Sequence, residues 1–228
     1  MTKQLALDLH LRDEFNFNSY LSSSNEQLVA ALSTLRADYP LYFWGETGSG
    51  KTHLLHAVLN QQVSQSKAVA LISLDHFDRP DSKICEGLEQ CDLVCIDAIN
   101  AVDGDMVWQQ ALFHLLNRAK ENNTTMVISG HCSPQHLDVF ADLQSRLAAS
   151  LIFEQNTLND DEKTSALQQR SKMRGLSLSD EVANYLVSRA KRDTHSLFGL
   201  LDKLDKHSMV KQRGLTVPLV KEVLFGSA

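Results

Sequence analysis

The sequence predicts an α/β domain built on a five-stranded parallel sheet, followed by a small helical domain. Short apolar runs alternate with helical patterns through the first two thirds of the chain, which is typical of a parallel sheet. A glycine-rich turn separates the first apolar run from the next helix. The last third contains helical patterns with no strand between them. We expect a flexible tail at 1–12, the α/β domain at 13–154 and the helical domain at 155–228.

Five apolar runs have the length and composition of strands, and they occupy 41–44, 68–74, 93–97, 125–129 and 151–153. One intervening helix is marked by Trp108, Leu112, Leu115 and Leu116. These residues share a face at steps of three and four, so they should pack on the sheet. In the last third, helices are expected at 160–174, 179–191 and 194–207, with Gly175 ending the first and Pro218 opening a fourth.

Composition limits the classes of partner and compartment. The 228 residues are 43% hydrophobic, which is enough to bury a substantial core. The net charge of -6 argues against non-specific binding of nucleic acid and favours a protein partner. The cysteines lack the paired spacing of a zinc site, and no apolar run reaches the roughly 20 residues that cross a bilayer. Because the polar start is no signal peptide, we expect a cytoplasmic protein without a membrane partner.

A complete phosphate-binding motif follows the first predicted strand. Glycines let backbone N–H groups turn toward phosphate oxygens, a lysine can bridge the terminal phosphates, and a threonine hydroxyl can reach Mg²⁺. We expect the lysine to be an exposed phosphate ligand rather than a core residue. The motif predicts a site for ADP or ATP with Mg²⁺, the alternative being a chance glycine-rich turn. The predicted nucleotide-binding residues here are Gly45, Glu46, Thr47, Gly48, Ser49, Gly50, Lys51, Thr52 and the following His53.

A carboxylate ends the predicted third strand. Asp97 follows a run of apolar residues, at the place where phosphate-loop proteins hold the acid that orients the magnesium shell. We therefore expect Asp97 and Thr52 to serve the metal indirectly, with a strand-end aspartate that caps a turn as the alternative. The next residue, Ala98, can neither accept a proton nor orient water, so weak intrinsic hydrolysis is expected.

Four further segments resemble conserved segments of one nucleotide-binding family: 15–20, 112–118, 133–134 and 142–147. Together with the phosphate loop they resemble the DnaA-related AAA+ proteins over essentially the whole chain. The resemblance implies an AAA+ domain with a helical lid, and it places Phe17 and Tyr20 over the nucleotide base. No segment resembling the DnaA DNA-binding domain follows the lid, so we expect a negative regulator of replication initiation rather than the initiator itself.

The resemblance also implies roles for two basic residues. Arg146 matches the arginine finger that reaches the terminal phosphate held by a neighbouring subunit, a task that suits a planar guanidinium. Without the resemblance, a surface ion pair would be the simpler interpretation. His195 stands where a sensor arginine is expected, either contacting phosphate when protonated or lying exposed on a helix. A third departure is the pair Gly130-His131, where relatives commonly carry an aspartate. Together with His195 and Ala98, this pair favours a protein whose conformation depends on the bound nucleotide over one that hydrolyses it quickly.

The N-terminal segment resembles the short peptide by which many replication proteins dock on the DNA polymerase sliding clamp. Gln4 would make polar contacts, while Leu5, Leu7 and Leu9 would fill an apolar pocket. The alternative is a first strand or helix whose leucines face the core.

Family resemblance thus implies a regulator that holds ADP or ATP, docks on the sliding clamp, reaches DNA only through the clamp, and stimulates hydrolysis of ATP bound to the DnaA initiator. A self-sufficient AAA+ ATPase of helicase-loader type and a small phosphate-loop kinase are alternatives, although no acceptor site or catalytic acid for a kinase is evident. A DNA-binding initiator fragment is disfavoured by the acidic charge. Assembly into a homo-oligomer is left open.

Overall fold

The structure is a computed structural model that describes residues 15–17, 20, 23–37, 39–75, 81–189, 194–211 and 214–225. The chain divides into two compact units. The first contains Asn25–Glu46 and Lys51–Asn156, and the second contains Thr47–Gly50 and the C-terminal helices. None of the described helices is long and apolar enough to cross a membrane.

A five-stranded parallel sheet forms the centre of the first unit, as predicted. Its spatial order is β2-β3-β4-β1-β5, and every pairing is parallel. The five predicted runs coincide with the strands to within one residue at each end. The strands are β1 Leu41–Trp44, β2 Val69–Ser73, β3 Leu93–Asp97, β4 Thr125–Gly130 and β5 Leu151–Glu154.

Strand β3 lies between β2 and β4 and is buried at every position, because helices pack on the sheet. A strand covered on both faces needs an uninterrupted apolar run, which is why its boundaries were legible in the sequence. Parallel pairing brings the carboxyl ends of the strands to one edge of the sheet. The register there aligns Trp44 with Gly130, and Ser73 with Asp97. The loops after β1, β3 and β4 therefore begin at the same edge.

Four helices accompany the sheet: α1 Glu26–Ser33, α2 Lys51–Ser64, α3 Met106–Asn122 and α4 Ala141–Ala148. The predicted apolar face of α3 is confirmed, because Trp108, Leu112, Leu115 and Leu116 are all buried in one cluster with side chains of the sheet. Asn25, just before α1, is 2% exposed. Its side-chain amide donates to the carbonyl of Asn156 at 2.9 Å and accepts from the N–H of the same residue at 2.8 Å, which ties α1 to the chain beyond β5.

The second unit is helical, as predicted, with an apolar core of its own that is rich in leucine. Asn159 and Glu162 form a reciprocal capping box at the start of its first helix. Ser23 adds two hydrogen bonds to the same Glu162 carboxylate, from its N–H at 2.8 Å and its hydroxyl at 3.0 Å. Gly175 follows the first helix with a φ of 72°, a left-handed conformation typical of helix ends. The helices are α5 Asp160–Met173, α6 Asp180–Arg189, α7 Thr194–Lys211 and α8 Val217–Phe225.

Candidate nucleotide-binding site

The phosphate loop connects β1 to α2, the context that its sequence predicted. Gly48 and Gly50 have φ values of 82° and 98°, which a residue with a Cβ adopts only at a cost. At the start of α2, Lys51 donates from Nζ to the carbonyl oxygens of Gly45 and Glu46, both at 2.8 Å. These hydrogen bonds join the lysine side chain to the first two residues of the loop.

Lys51 is 7% exposed, so the expectation of an exposed side chain is wrong. The carbonyl oxygens of Gly45 and Glu46 partly compensate for the loss of water around the ammonium group. Burial lowers the pKa of the Lys51 amine, while the nearby carboxylates of Asp97 and Asp75 oppose this shift. An arriving phosphate would add further negative charge beside the buried amine and so favour its charged form.

Asp97 lies at the centre of a hydrogen-bonded group at the carboxyl edge of the sheet. Thr52, in the first turn of α2, donates its hydroxyl to Asp97 Oδ2 at 2.8 Å. Ser129, near the end of the neighbouring strand β4, donates its hydroxyl to Asp97 Oδ1. The carboxylate is 5% exposed, and each of its oxygens accepts a hydrogen bond. Asp97 is therefore held in one orientation next to the threonine expected to reach the metal.

Ser129 is a site residue that the sequence argument did not identify. It is fully buried, and besides contacting Asp97 it accepts the backbone N–H of Ala98 at 3.1 Å. The available signal was weak: a serine near the end of an otherwise apolar strand that neighbours the strand of Asp97.

Ala98 itself has left-handed backbone angles, φ 57° and ψ 51°, and is 3% exposed. Few residues other than glycine, asparagine and aspartate adopt this conformation readily. The backbone at this position thus suits an aspartate, although the side chain here is a methyl group that cannot take part in proton transfer.

Tyr42 limits what can stand at Gly130, the first residue of the pair where an aspartate was expected. Tyr42 is fully buried, and its hydroxyl donates to the carbonyl of Cys132 at 2.6 Å. A Cβ placed on Gly130 would overlap the Tyr42 hydroxyl oxygen and would lie 3.3 Å from a methyl group of Ile99. Burial raises the pKa of Tyr42, so the hydroxyl stays protonated and remains a donor. A side chain at residue 130 is therefore excluded by Tyr42 as it stands.

His131 begins the loop after β4. Its backbone N–H donates to Asn100 Oδ1 at 3.1 Å, which joins this loop to the one after β3. Burial and the positive charge of Lys51 lower the pKa of His131, against the opposing effect of Asp75 and Asp97. The imidazole is consequently neutral for the most part at pH 7.

Residues 15–17 lie against α2. The ring of Phe15 is 4.8 Å from that of His53, whose Nε2 lies 3.2 Å from the carbonyl oxygen of Asn16. Asn60 also donates its amide to the Phe15 carbonyl at 2.7 Å. His53 is thus in contact with the segment expected to lie over the base, and Phe17 is half-buried in that segment. Tyr20 belongs to the second unit and is half-buried.

Two predicted groups cannot be placed. Gln4, Leu5, Leu7 and Leu9 lie outside the described residues. The backbone of His195 belongs to α7, but its side chain is outside the described part of the chain.

Arg146 lies in the last turn of α4 and is exposed. The helix packs through Leu143 and Leu147, both fully buried, and the packing directs the neighbouring Arg146 to solvent. Arg146 takes part in none of the hydrogen bonds or ion pairs formed among the described residues. The side chain is therefore available to a second molecule.

The residues fit a nucleotide with Mg²⁺. The left-handed glycines leave room for phosphate close to the backbone, and Thr52 and Asp97 present the oxygen groups that Mg²⁺ prefers. Within the described ranges no three His, Cys, Asp or Glu side chains cluster in a way that could hold a metal. A Mg²⁺ ion would accordingly take further ligands from phosphate and water, and would there neutralise phosphate charge.

Sheet order, phosphate loop and strand-end acid together define an AAA+ nucleotide-binding fold. The chain belongs to the family of bacterial DnaA ATPase domains, whose family model matches residues 11–154, and the model of the Hda lid domain matches residues 160–224. The predicted resemblance to DnaA-related AAA+ proteins is thereby confirmed.

One curated relative and two solved structures illustrate what the chain is similar to. An uncharacterized protein of Haemophilus influenzae is 39% identical over 229 residues, covering 98% of this chain and 99% of its own length. Domain III of the Thermotoga maritima replication initiation protein DnaA superposes with a TM-score of 0.81 at 20% identity, over 94% of this chain and 97% of that structure. AMPPCP-bound DnaA from Aquifex aeolicus superposes with a TM-score of 0.70 at 21% identity, over 89% of this chain and 71% of that one.

Proposed function

We propose that this chain is a negative regulator of DNA replication initiation that holds ADP or ATP with Mg²⁺ in the cytoplasm. It docks on the DNA polymerase sliding clamp through Gln4, Leu5, Leu7 and Leu9, and contacts DNA only through the clamp. From there it stimulates hydrolysis of the ATP bound to the initiator DnaA by supplying Arg146.

One observation carries the proposal: Arg146 is exposed and engaged with no described residue, in a chain whose own site has Ala98 at the end of β3. An exposed guanidinium can contact the nucleotide of a second molecule and stabilise the negative charge that develops on its phosphoryl oxygens during hydrolysis. An alanine beside Asp97 gives the chain's own nucleotide no group that orients water. This combination favours completing the site of another subunit over running an independent cycle of hydrolysis.

The direct test starts from radiolabelled ATP bound to DnaA. It measures how much of this ATP is converted to ADP in the presence of clamp loaded on DNA. We expect ADP to form rapidly when this protein is added, and slowly when either the protein or the clamp is omitted. Phosphate release by the protein alone is the parallel measurement. Fast release by the protein alone, without an effect on DnaA, would favour the self-sufficient ATPase instead.

Intrinsic hydrolysis gives a sharper prediction at Ala98. Wild-type protein should turn over ATP far more slowly than about 1 per second, the low end of ordinary enzyme rates. Ala98→Asp should raise this rate because it adds a carboxylate where the backbone conformation already suits aspartate. Ala98→Asn is the matched control, since it has nearly the same shape but no proton acceptor. Wild-type turnover at or above that rate would mean that another residue positions the water.

Clamp docking can be tested without the nucleotide site. Changing Gln4 and Leu5 to alanine should abolish binding to the purified clamp, because short docking peptides depend on a few anchor residues. Affinity for ADP and the midpoint of thermal unfolding should remain unchanged. A large fall in the midpoint, with clamp binding retained by the folded fraction, would assign these residues to the core.

A further inference from the structure

Gln109 is a buried polar residue in the first turn of α3, distant in sequence from every predicted site residue. Its side chain is 2% exposed, yet all of its hydrogen bonds go to backbone atoms of loops. Its Nε2 donates to the carbonyl oxygens of Val102 at 2.9 Å and of Asp138 at 3.0 Å. Its Oε1 accepts the N–H of Phe140 at 3.0 Å. One amide thus joins the loop after β3 to the segment that leads into α4.

Two further hydrogen bonds join the same pair of loops. The N–H of Gly104 donates to the carbonyl of Asp138 at 3.2 Å, and the N–H of Asp138 donates to Asp103 Oδ1 at 3.2 Å. The loop that carries Asp103 starts directly after Asp97 and Ala98. The chain that leaves the strand-end acid is therefore fastened to the chain that enters α4.

Phe140 is the residue immediately before α4, and its side chain makes no capping hydrogen bond. Its N–H is instead held by Gln109, and its ring packs edge-on against Phe113 of α3 with centroids 5.6 Å apart. Both contacts fix where α4 begins and in which direction it leaves the loop. Arg146 follows six residues later, about 9 Å along the helix axis. A small rotation at Phe140 would therefore displace the guanidinium by a distance comparable to a hydrogen bond.

We propose that Gln109 is a positioning residue for Arg146, which it serves by locking the start of α4 to the loop after β3. This inference rests on the proposed role of Arg146. Loss of the amide would leave the Phe140 N–H without its acceptor, while the carbonyls of Val102 and Asp138 would keep only the N–H groups of Asp105 and Gly104. The three side-chain bonds that join the two loops would be gone, so the loops would separate or admit water. Positioning errors near 1 Å are enough to reduce a transition-state contact substantially.

The test compares Gln109→Met with Thr124→Val as a matched control. Met has a similar length and no hydrogen-bonding amide. Thr124 is 3% exposed and donates its hydroxyl to the carbonyl of Glu89 at 2.7 Å, so Thr124→Val also removes a buried hydrogen bond. It lies beyond the far end of α3, about 25 Å from the start of that helix. ADP formation on DnaA is titrated against each variant well below its unfolding temperature.

Gln109→Met should reduce the maximal stimulation at least 10-fold, with little change in the half-saturating concentration and in affinity for ADP. Thr124→Val should keep full stimulation. The double variant with Gln109→Met and Arg146→Ala should stimulate no less than Arg146→Ala alone, because Gln109 is proposed to act through Arg146. The amide of Phe140 should exchange its hydrogen faster in Gln109→Met than in the wild type, a readout that needs no partner.

Full stimulation by Gln109→Met, or an equal loss in Thr124→Val, would overturn the inference. If Gln109→Met does not fold, the exposed Asp103→Ala, which removes the acceptor for the Asp138 N–H, decides in its place. It should lower maximal stimulation in the same direction, and unchanged stimulation would reject the lock. Wild-type protein that does not stimulate DnaA would instead reject the proposed function, whatever the exchange rate of Phe140 shows.

Discussion

Replacing Arg146 by alanine should remove nearly all stimulation of ATP hydrolysis on DnaA while leaving the chain folded. Arginine fingers supplied by a second molecule contribute about 10³–10⁵ to the rate in other nucleotide hydrolases. The side chain is exposed and takes no part in the described hydrogen bonds, so its loss should change the free energy of unfolding little. Affinity for ADP and for the clamp should stay near the wild-type values. The measurement is ADP formed on labelled DnaA at saturating concentrations of each variant.

Two variants sharpen this experiment. Arg146→Lys keeps the positive charge but loses the planar fork of donors, so it should restore little of the stimulation. Arg36→Ala removes another exposed arginine of the same unit and should leave stimulation intact. Full stimulation by Arg146→Ala would place the activating group elsewhere, or would make the effect a rearrangement within DnaA itself.

Lys51→Ala should weaken binding of both ADP and ATP by orders of magnitude. The amine is the only cation described within the phosphate loop itself, and the loop holds it by two carbonyl hydrogen bonds where phosphate would arrive. Because Lys51 is buried, alanine also removes packing and should lower the unfolding midpoint modestly. Lys51→Met separates the two effects, since it keeps most of the apolar stem and lacks the charge.

Calorimetric titration with ADP and with ATP measures the affinities directly, and thermal unfolding provides an independent check. A ligand at 100 times its dissociation constant stabilises a protein by about 2.7 kcal/mol. Wild-type protein should show such a shift with ADP, whereas Lys51→Met should show almost none at the same concentration. Undiminished affinity in Lys51→Met would mean that backbone N–H groups alone hold the phosphates.

Local patterns sufficed to predict the parts of the site that are continuous in sequence. The loop between β1 and α2 has a glycine at each position where the backbone is left-handed, and β3 is apolar because it is covered on both faces. Asp97 ends that strand, so its place at the sheet edge followed from the parallel order alone. The exposure of Lys51 was predicted wrongly because the pattern shows which residues meet phosphate but not how deeply the loop encloses them.

Contacts between distant segments left no such signal. Ser129 meets Asp97 across 32 residues, Gln109 meets Phe140 across 31, and Tyr42 meets Cys132 across 90. Each depends on how strands and loops come together at the sheet edge, which periodicity does not encode. A serine, a glutamine and a tyrosine are also common residues, so their identity alone does not mark them as part of a site.

Tyr42 and Gly130 together constrain the order in which this site can change during evolution. A side chain at residue 130 would overlap the Tyr42 hydroxyl, whereas loss of that hydroxyl removes only one hydrogen bond to the loop. A lineage that gains a side chain at 130 should therefore change residue 42 first, and the ring of residue 42 and Ile99 must still shift slightly, since both would lie within 3.3 Å of the new Cβ. The tyrosine hydroxyl thus makes a glycine at this point of the sheet difficult to replace, independently of any selection on hydrolysis.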